Sequence, residues 1–136
     1  MYEALANRAL EARKAVEPLS DAGLKQLTDS LRQRLGMGTT ARDLLPDAFA
    51  AVSEASRRVT GTGCMFAQLT AGAAAVGGNV AEIADDGQAG FTAELVGYFW
   101  ALAGKGVHMV CCTDWLASTN AERVSDVSSC LACVLA

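Results

Sequence analysis

The chain has 136 residues, of which 51% are hydrophobic and 19% charged, and its net charge is −4 at pH 7. This length predicts a single domain, residues 1–136, that is large enough to bury a core. The acidic balance, without a basic stripe, argues against a nucleic-acid partner, and charges interrupt every apolar run, which argues against membrane insertion. The first residues lack a signal-peptide pattern, so we expect a cytoplasmic protein.

The cysteines do not predict a disulfide framework or a metal site. Five are present, an odd number in a chain expected to be cytoplasmic: Cys64, Cys111, Cys112, Cys130 and Cys133. Cys130 and Cys133 form a C-x-x-C pair. Because His108 is the only histidine, a zinc site would also need Cys111 or Cys112. We therefore expect no metal and no other cofactor.

The first 62 residues predict a helical leader. A helix is expected over residues 3–17, ended by Pro18. The next helix carries leucines at helical spacing, namely Leu24, Leu27, Leu31 and Leu35. A third helix is predicted to begin around Pro46, with Phe49, Val52, Ser56 and Val59 on its inner face, and Arg57 and Arg58 are expected to form its solvated end.

The second half alternates between predicted strands and helices. A helix of small residues is expected over 66–76, and a helix with apolar residues at helical spacing over 91–103. The runs "VAEIA" (80–84) and "VHMVCC" (107–112) predict buried strands, and "LACVLA" (131–136) a third strand after a helix that begins at Thr113 or Asp114. This order predicts a parallel βαβαβ sheet over 63–136.

Several motifs resemble one protein family. The runs "DLLPDAFAAVSEASRRVTG", "VAEIADDG" and "AGKGVHMVCCTDWLASTNAE" are similar to the N-terminal part of the DEAD-like nucleotide-binding domain of SecA, the motor ATPase of bacterial preprotein export. The resemblance runs from about residue 15 to the last residue. It implies an α/β fold: a partial RecA-like (P-loop NTPase-like) three-layer domain, with a short parallel sheet behind the N-terminal helical leader. The later SecA domains have no counterpart, so a truncated form is expected.

The phosphate loop departs from the family pattern. SecA proteins have Thr-Gly-Glu-Gly-Lys-Thr where this chain has Asp85 to Gly90. Ala89 replaces the lysine that reaches the β- and γ-phosphates, and Gly90 replaces the hydroxyl that holds Mg²⁺. Gln68 matches the family glutamine that contacts adenine, although Phe66 stands where an aspartate is usual. This degenerate Walker A motif predicts a pseudo-ATPase.

The first functional hypothesis is an accessory subunit that binds a protein partner, in a hetero-complex or a homodimer. The high apolar content and the open edges of a short sheet fit such a role. Tyr98, Trp100 and Trp115 are candidate interface anchors, because aromatic residues dominate interface energetics. A regulator of export that binds SecA or its cargo is a further possibility.

The alternative is a small enzyme that reuses the former nucleotide pocket for an amine-containing substrate. Asp85, Asp86 and Asp114 are its candidate catalytic residues, because they are expected at one rim of the sheet. Its candidate ligand-binding residues are Gln68, Gln88 and Glu94. A plain solvated turn is the simpler explanation of Asp85 and Asp86.

Overall fold

Helices account for all the regular structure in the computed structural model, which describes residues 1–84 and 86–131, without the side chains of Asp86 and Gly87. The six helices are α1 (Tyr2–Val16), α2 (Asp21–Gly36), α3 (Ala41–Thr60), α4 (Phe66–Val76), α5 (Asp86–Ala101) and α6 (Asp114–Leu131). None of them is long and apolar enough to cross a membrane.

Side-chain caps begin the second and third helices. Ser20 accepts a hydrogen bond from the backbone N–H of Gly23 at 3.1 Å, and Thr40 accepts one from the N–H of Asp43 at 3.3 Å. The helix α3 therefore begins five residues before the predicted start at Pro46. A proline in the second turn removes one backbone hydrogen bond, and burial of the surrounding residues outweighs that loss.

The helix α3 is the centre of the fold. It contacts α1, α2, α5 and α6, while α4 packs against α1 and α5. Every residue from Leu44 to Ser56 is buried except Asp47, which is half-buried. The sequence thus predicted burial of one face of α3, whereas the structure buries all faces of the helix along this stretch.

A buried carboxylate lies near the end of α3. The side chain of Glu54 is 0% exposed and accepts hydrogen bonds from Arg57 and Arg58, each at 2.8 Å. Arg58 also donates to Asp21 at 2.7 Å, at the start of α2. These bonds, led by the one from Arg57, hold the pKa of Glu54 below its ordinary value. The arginine pair therefore joins three parts of the chain, where the sequence suggested a solvated helix end.

The predicted α/β class is wrong, because no strand or sheet forms within residues 1–84 and 86–131. The helix α5 also begins earlier than predicted, at Asp86, so that part of the expected turn is helical. Leu131 belongs to α6, and the rest of the third predicted strand, 132–136, lies outside the described residues. The three-layer, RecA-like arrangement with a parallel sheet is therefore not the fold of residues 1–84 and 86–131.

Two of the predicted strands form loops without a backbone ladder. We call 80–84 the first extended segment and 107–112 the second extended segment. No backbone hydrogen bond joins either of them to another described residue. A β-strand is defined by its ladder, so an apolar alternating sequence without a neighbouring strand stays a loop. The prediction of strands here was wrong, because local alternation does not supply a pairing partner.

Both extended segments alternate between two environments. In the first, Ala81 and Ile83 are half-buried while Val80 is 98% exposed. In the second, Val107 and Met109 are half-buried while Val110 is 95% exposed. Met109 lies against α5, where its Sδ would be 3.5 Å from a Cβ added at Gly97. Each segment therefore rests one row of side chains on the helical body and turns the other to solvent.

Candidate functional site

The first turn of α4 places Gln68 at the wall of a pocket of about 270 Å³. The backbone N–H of Met65 donates to Oε1 of Gln68 at 2.7 Å, which fixes the orientation of the amide. Within the described part of the chain, no group accepts a hydrogen bond from its Nε2. Although Gln68 is only 5% exposed, its Nε2 is available to a bound molecule.

The other pocket residues come from α4, α5 and the first extended segment. They are Ala67, Ala71, Glu82, Ile83, Ala84, Gln88 and Thr92. Thr92 donates to the backbone carbonyl of Gln88 at 3.4 Å. The lining thus combines small apolar walls with an amide, a carboxylate and a hydroxyl, which suits a small polar molecule. Gln68 and Gln88 both line this pocket, and their ligand-binding role stays a prediction.

The start of α5 carries the positions of the family phosphate loop. Asp85 lies outside the described residues, and only the backbone of Asp86 is described. Ala89 lines a different groove, formed by α5 and the two extended segments. Of the predicted acidic catalytic set, Asp114 is exposed at the first turn of α6. Its grouping with the other two aspartates stays a prediction.

Arg123 of α6 lies over the first turns of α5. Its Nε donates to Oε2 of Glu94 at 3.2 Å, its Nη2 donates to Oδ1 of Asn120 at 3.4 Å, and its guanidinium carbon is 4.6 Å from the centre of the Phe91 ring. A Cβ added at Gly90 would clash with Nη2 of Arg123. The arginine therefore occupies the space that a side chain at position 90 would need.

Glu94 is a buried acid with an incomplete set of partners. It is 1% exposed, and burial raises its pKa to about 7, against the opposing effect of Arg123. Ser56 of α3 is close enough to lower this pKa slightly. Even so, Oε1 of Glu94 and Oγ of Ser56 are both buried without a hydrogen-bond partner among the described residues. Glu94 thus faces the interior of the fold and does not line the Gln68 pocket.

The thiol of Cys64 is buried near this acid. Burial is the main cause that raises the pKa of its thiol to about 12, and the charge of Glu94 adds to it. Its backbone N–H donates to Oγ of Ser53 at 2.9 Å. Among the described residues no three potential metal ligands cluster, and Cys133 of the C-x-x-C pair lies outside that part.

The candidate interface aromatics divide into two groups. Tyr98 is fully buried, and its hydroxyl is 2.8 Å from Oγ1 of Thr28 in α2. Trp100 is 47% exposed and Trp115 is 72% exposed. His108 is exposed on the second extended segment. Trp100 and Trp115 are therefore available to a partner, whereas Tyr98 belongs to the core.

The contact between Glu94 and Arg123 was not predicted from the sequence. The two residues are 29 positions apart, on α6 and α5. No local sequence pattern specifies how these two helices pack. The one signal was Gly90, a glycine inside a helix. Glycine there costs about 1 kcal/mol relative to alanine, so that its presence indicates close packing.

Comparison with known proteins gives a consistent result. The family model for the SecA DEAD-like domain matches residues 1–135. Protein translocase subunit SecA 1 of Thermobifida fusca is 46% identical over 109 residues, which is 80% of this chain and 11% of that protein. Protein translocase subunit SecA of Frankia casuarinae is 46% identical over 110 residues, with the same shares. SecA of Thermosynechococcus vestitus is 45% identical over 82% of this chain and 12% of its own length.

Proposed function

The chain belongs to the SecA DEAD-like domain family, and on that basis we propose that it does not hydrolyse ATP and acts as a partner-binding subunit of a larger protein assembly. It spans 11% of the length of the SecA relatives that it matches. The activity of those whole proteins therefore does not transfer to it directly.

The observation that carries the proposal is the position of Arg123 against Gly90. Phosphoryl transfer in P-loop enzymes needs a lysine on the phosphates and a hydroxyl on Mg²⁺. Ala89 has no ammonium group, and Gly90 has no hydroxyl. The guanidinium of Arg123 lies where a side chain at position 90 would project, tied to Glu94 and Asn120. These contacts support a phosphate-loop position that is occupied by the protein's own Arg123 side chain.

Exposed apolar side chains support the partner-binding part of the proposal. Val80, Val110, Trp100 and Trp115 are between 47% and 98% exposed. Large exposed apolar groups on one protein commonly mark a surface that another protein covers. Tryptophan in particular contributes strongly to such interfaces.

The ATPase part is tested with the purified chain and Mg²⁺-ATP. We expect no phosphate release above the buffer rate and no shift of the melting temperature by the nucleotide. Turnover that disappears in Gln68→Ala would contradict the proposal. Gln26→Ala, a change on α2 away from the pocket, is the matched control.

The partner-binding part is tested by size exclusion with light scattering on native extract. We expect the chain in a defined complex with an identified second protein. Trp100→Lys should release it, whereas Val59→Lys on α3 should not. A monomer throughout would overturn this part and leave the ATPase result unaffected.

A further inference from the structure

A second pocket lies between the first turns of α1 and α3 and the end of α4. It has a volume of about 260 Å³ and shares no lining residue with the Gln68 pocket. Its apolar walls include Leu5, Leu45 and Ala73, which are buried, and Val76, which is half-buried. Because α1 packs against both α3 and α4, these walls are in place before any ligand arrives.

Arg42 is the charged side chain of this pocket, and it is exposed at the solvent side. Among the described residues, none forms an ion pair or a side-chain hydrogen bond with it. The adjacent Asp43 does not line the pocket, and its carboxylate accepts a hydrogen bond from Oγ1 of Thr40 at 2.6 Å. No aspartate or glutamate is among the described lining residues. The pocket therefore offers a cation without a counter-ion.

The start of α3 supports the same charge preference. Ala41 and Arg42 are the first two residues of this helix, and both line the pocket. The N–H groups of Asp43 and Leu44 donate to the carbonyl of Thr40, whereas no described residue accepts from the N–H groups of Ala41 and Arg42. The partial positive charge of a helix start adds to that of the guanidinium, so this end of the pocket favours an anion.

The walls restrict the rest of the ligand. An inorganic anion would satisfy Arg42 and leave the apolar cavity unused, and a neutral hydrocarbon would leave the guanidinium unpaired. A carboxylate matches an arginine in planar geometry, and an apolar body matches the walls. A polypeptide segment is a weaker match, because the walls belong to helices whose backbone groups are largely hydrogen-bonded internally, which leaves few partners for a second main chain.

We propose that this pocket binds a small monocarboxylate with an apolar body, whose carboxylate pairs with Arg42 and whose body lies against the walls from α1, α3 and α4. The site is distinct from the proposed partner-binding surface, since neither Trp100 nor Trp115 lines it. The two proposals are therefore independent, and the failure of one leaves the other intact.

The test is calorimetric titration of the full chain with octanoate at neutral pH. We expect saturable binding of one molecule per chain. Acetate, which lacks the apolar body, and octylamine, which carries the opposite charge, should each bind at least about tenfold more weakly. Equal binding of acetate would show that the cavity is not used, and equal binding of octylamine would show that the charge is not read. Either result, or no saturable binding of octanoate, would overturn the proposal.

Variants at the exposed arginine locate the site. Arg42→Gln should lower the affinity for octanoate at least about tenfold, and Arg42→Glu should bind octylamine more tightly than octanoate. Arg8→Gln, at an exposed position of α1 outside the pocket, is the matched control and should change neither affinity. Octanoate binding that is unaffected by Arg42→Gln would place the ligand elsewhere and overturn the assignment. Tighter binding of an N-acetylated peptide with a free C-terminal leucine would overturn the small-molecule class in favour of a polypeptide terminus.

Discussion

At the residue scale, Glu94 links pH to stability. Its pKa is about 7 in the folded protein and 4.5 in an ordinary exposed site, so folding raises the pKa. The stabilising contribution of the neutral form is complete below pH 4.5 and is lost as the pH rises through about 7. Ionisation of this group inside the fold therefore weakens the protein in the neutral range.

Glu94→Gln should remove that dependence, because glutamine keeps the shape and does not ionise. Relative to the unmodified protein, the variant should gain about 2–3 kcal/mol in unfolding free energy between pH 5 and pH 8. Urea unfolding at the two pH values measures this difference. Glu82→Gln, at an exposed position, is the control. If the unfolding free energies of Glu94→Gln and the unmodified protein changed equally with pH, Glu94 would not be the source of the pH dependence.

The contact between Gly90 and Arg123 gives a second prediction at this scale. Gly90→Ala should destabilise the protein by about 1–2 kcal/mol at pH 8, because the new Cβ displaces the guanidinium from ionised Glu94. With Arg123→Ala in the background, the same change should cost at least about 1 kcal/mol less, since only Oδ1 of Asn120 then lies close to the new Cβ and alanine favours a helix. A double-mutant cycle by urea unfolding measures the coupling, and additive effects would count against it.

At the element scale, the Glu54 cluster joins α3 to the connection between α1 and α2. Breaking a buried ion pair from one side leaves uncompensated groups. We expect Glu54→Gln to cost about 2–4 kcal/mol of unfolding free energy. Asp29→Asn is the matched control, because its pair with Arg32 is exposed, and we expect less than about 0.5 kcal/mol. Similar small losses for both variants would show that the cluster contributes little.

Helices and strands differed in how far the sequence predicted them. The helices α1 and α2 follow local spacing and caps such as Ser20, which the chain carries within a few residues. The second extended segment has the alternation of a strand, but pairing depends on backbone groups that lie far away in sequence or on another chain. Gln68 and Gln88 line one pocket, although a ligand-binding role for them stays a prediction. The sequence could not place Arg123, whose position follows from how α6 packs on α5.

At the scale of the whole molecule, the charge is acidic, while the groove lined by Trp100 and Val110 has no Lys, Arg, Asp or Glu among its described lining residues. Apolar contacts and main-chain hydrogen bonds are screened little by salt. The dissociation constant of the partner complex should therefore change less than about threefold between 50 mM and 500 mM NaCl. Titration at the two concentrations measures it. A steep loss of affinity with salt would indicate that ion pairs outside the groove dominate the interface.

The enclosure of α3 has a consequence for the motions of the molecule. Because this helix is covered from Leu44 to Ser56 by four others, its amide protons can meet water only when those neighbours separate. Hydrogen exchange there should proceed through complete unfolding alone and should report its free energy directly. The amides of 107–112, without backbone partners, should exchange at nearly the rate of a free peptide. The same short protein would then contain amides at both extremes of hydrogen-exchange rate, the slowest in α3 and the fastest in 107–112.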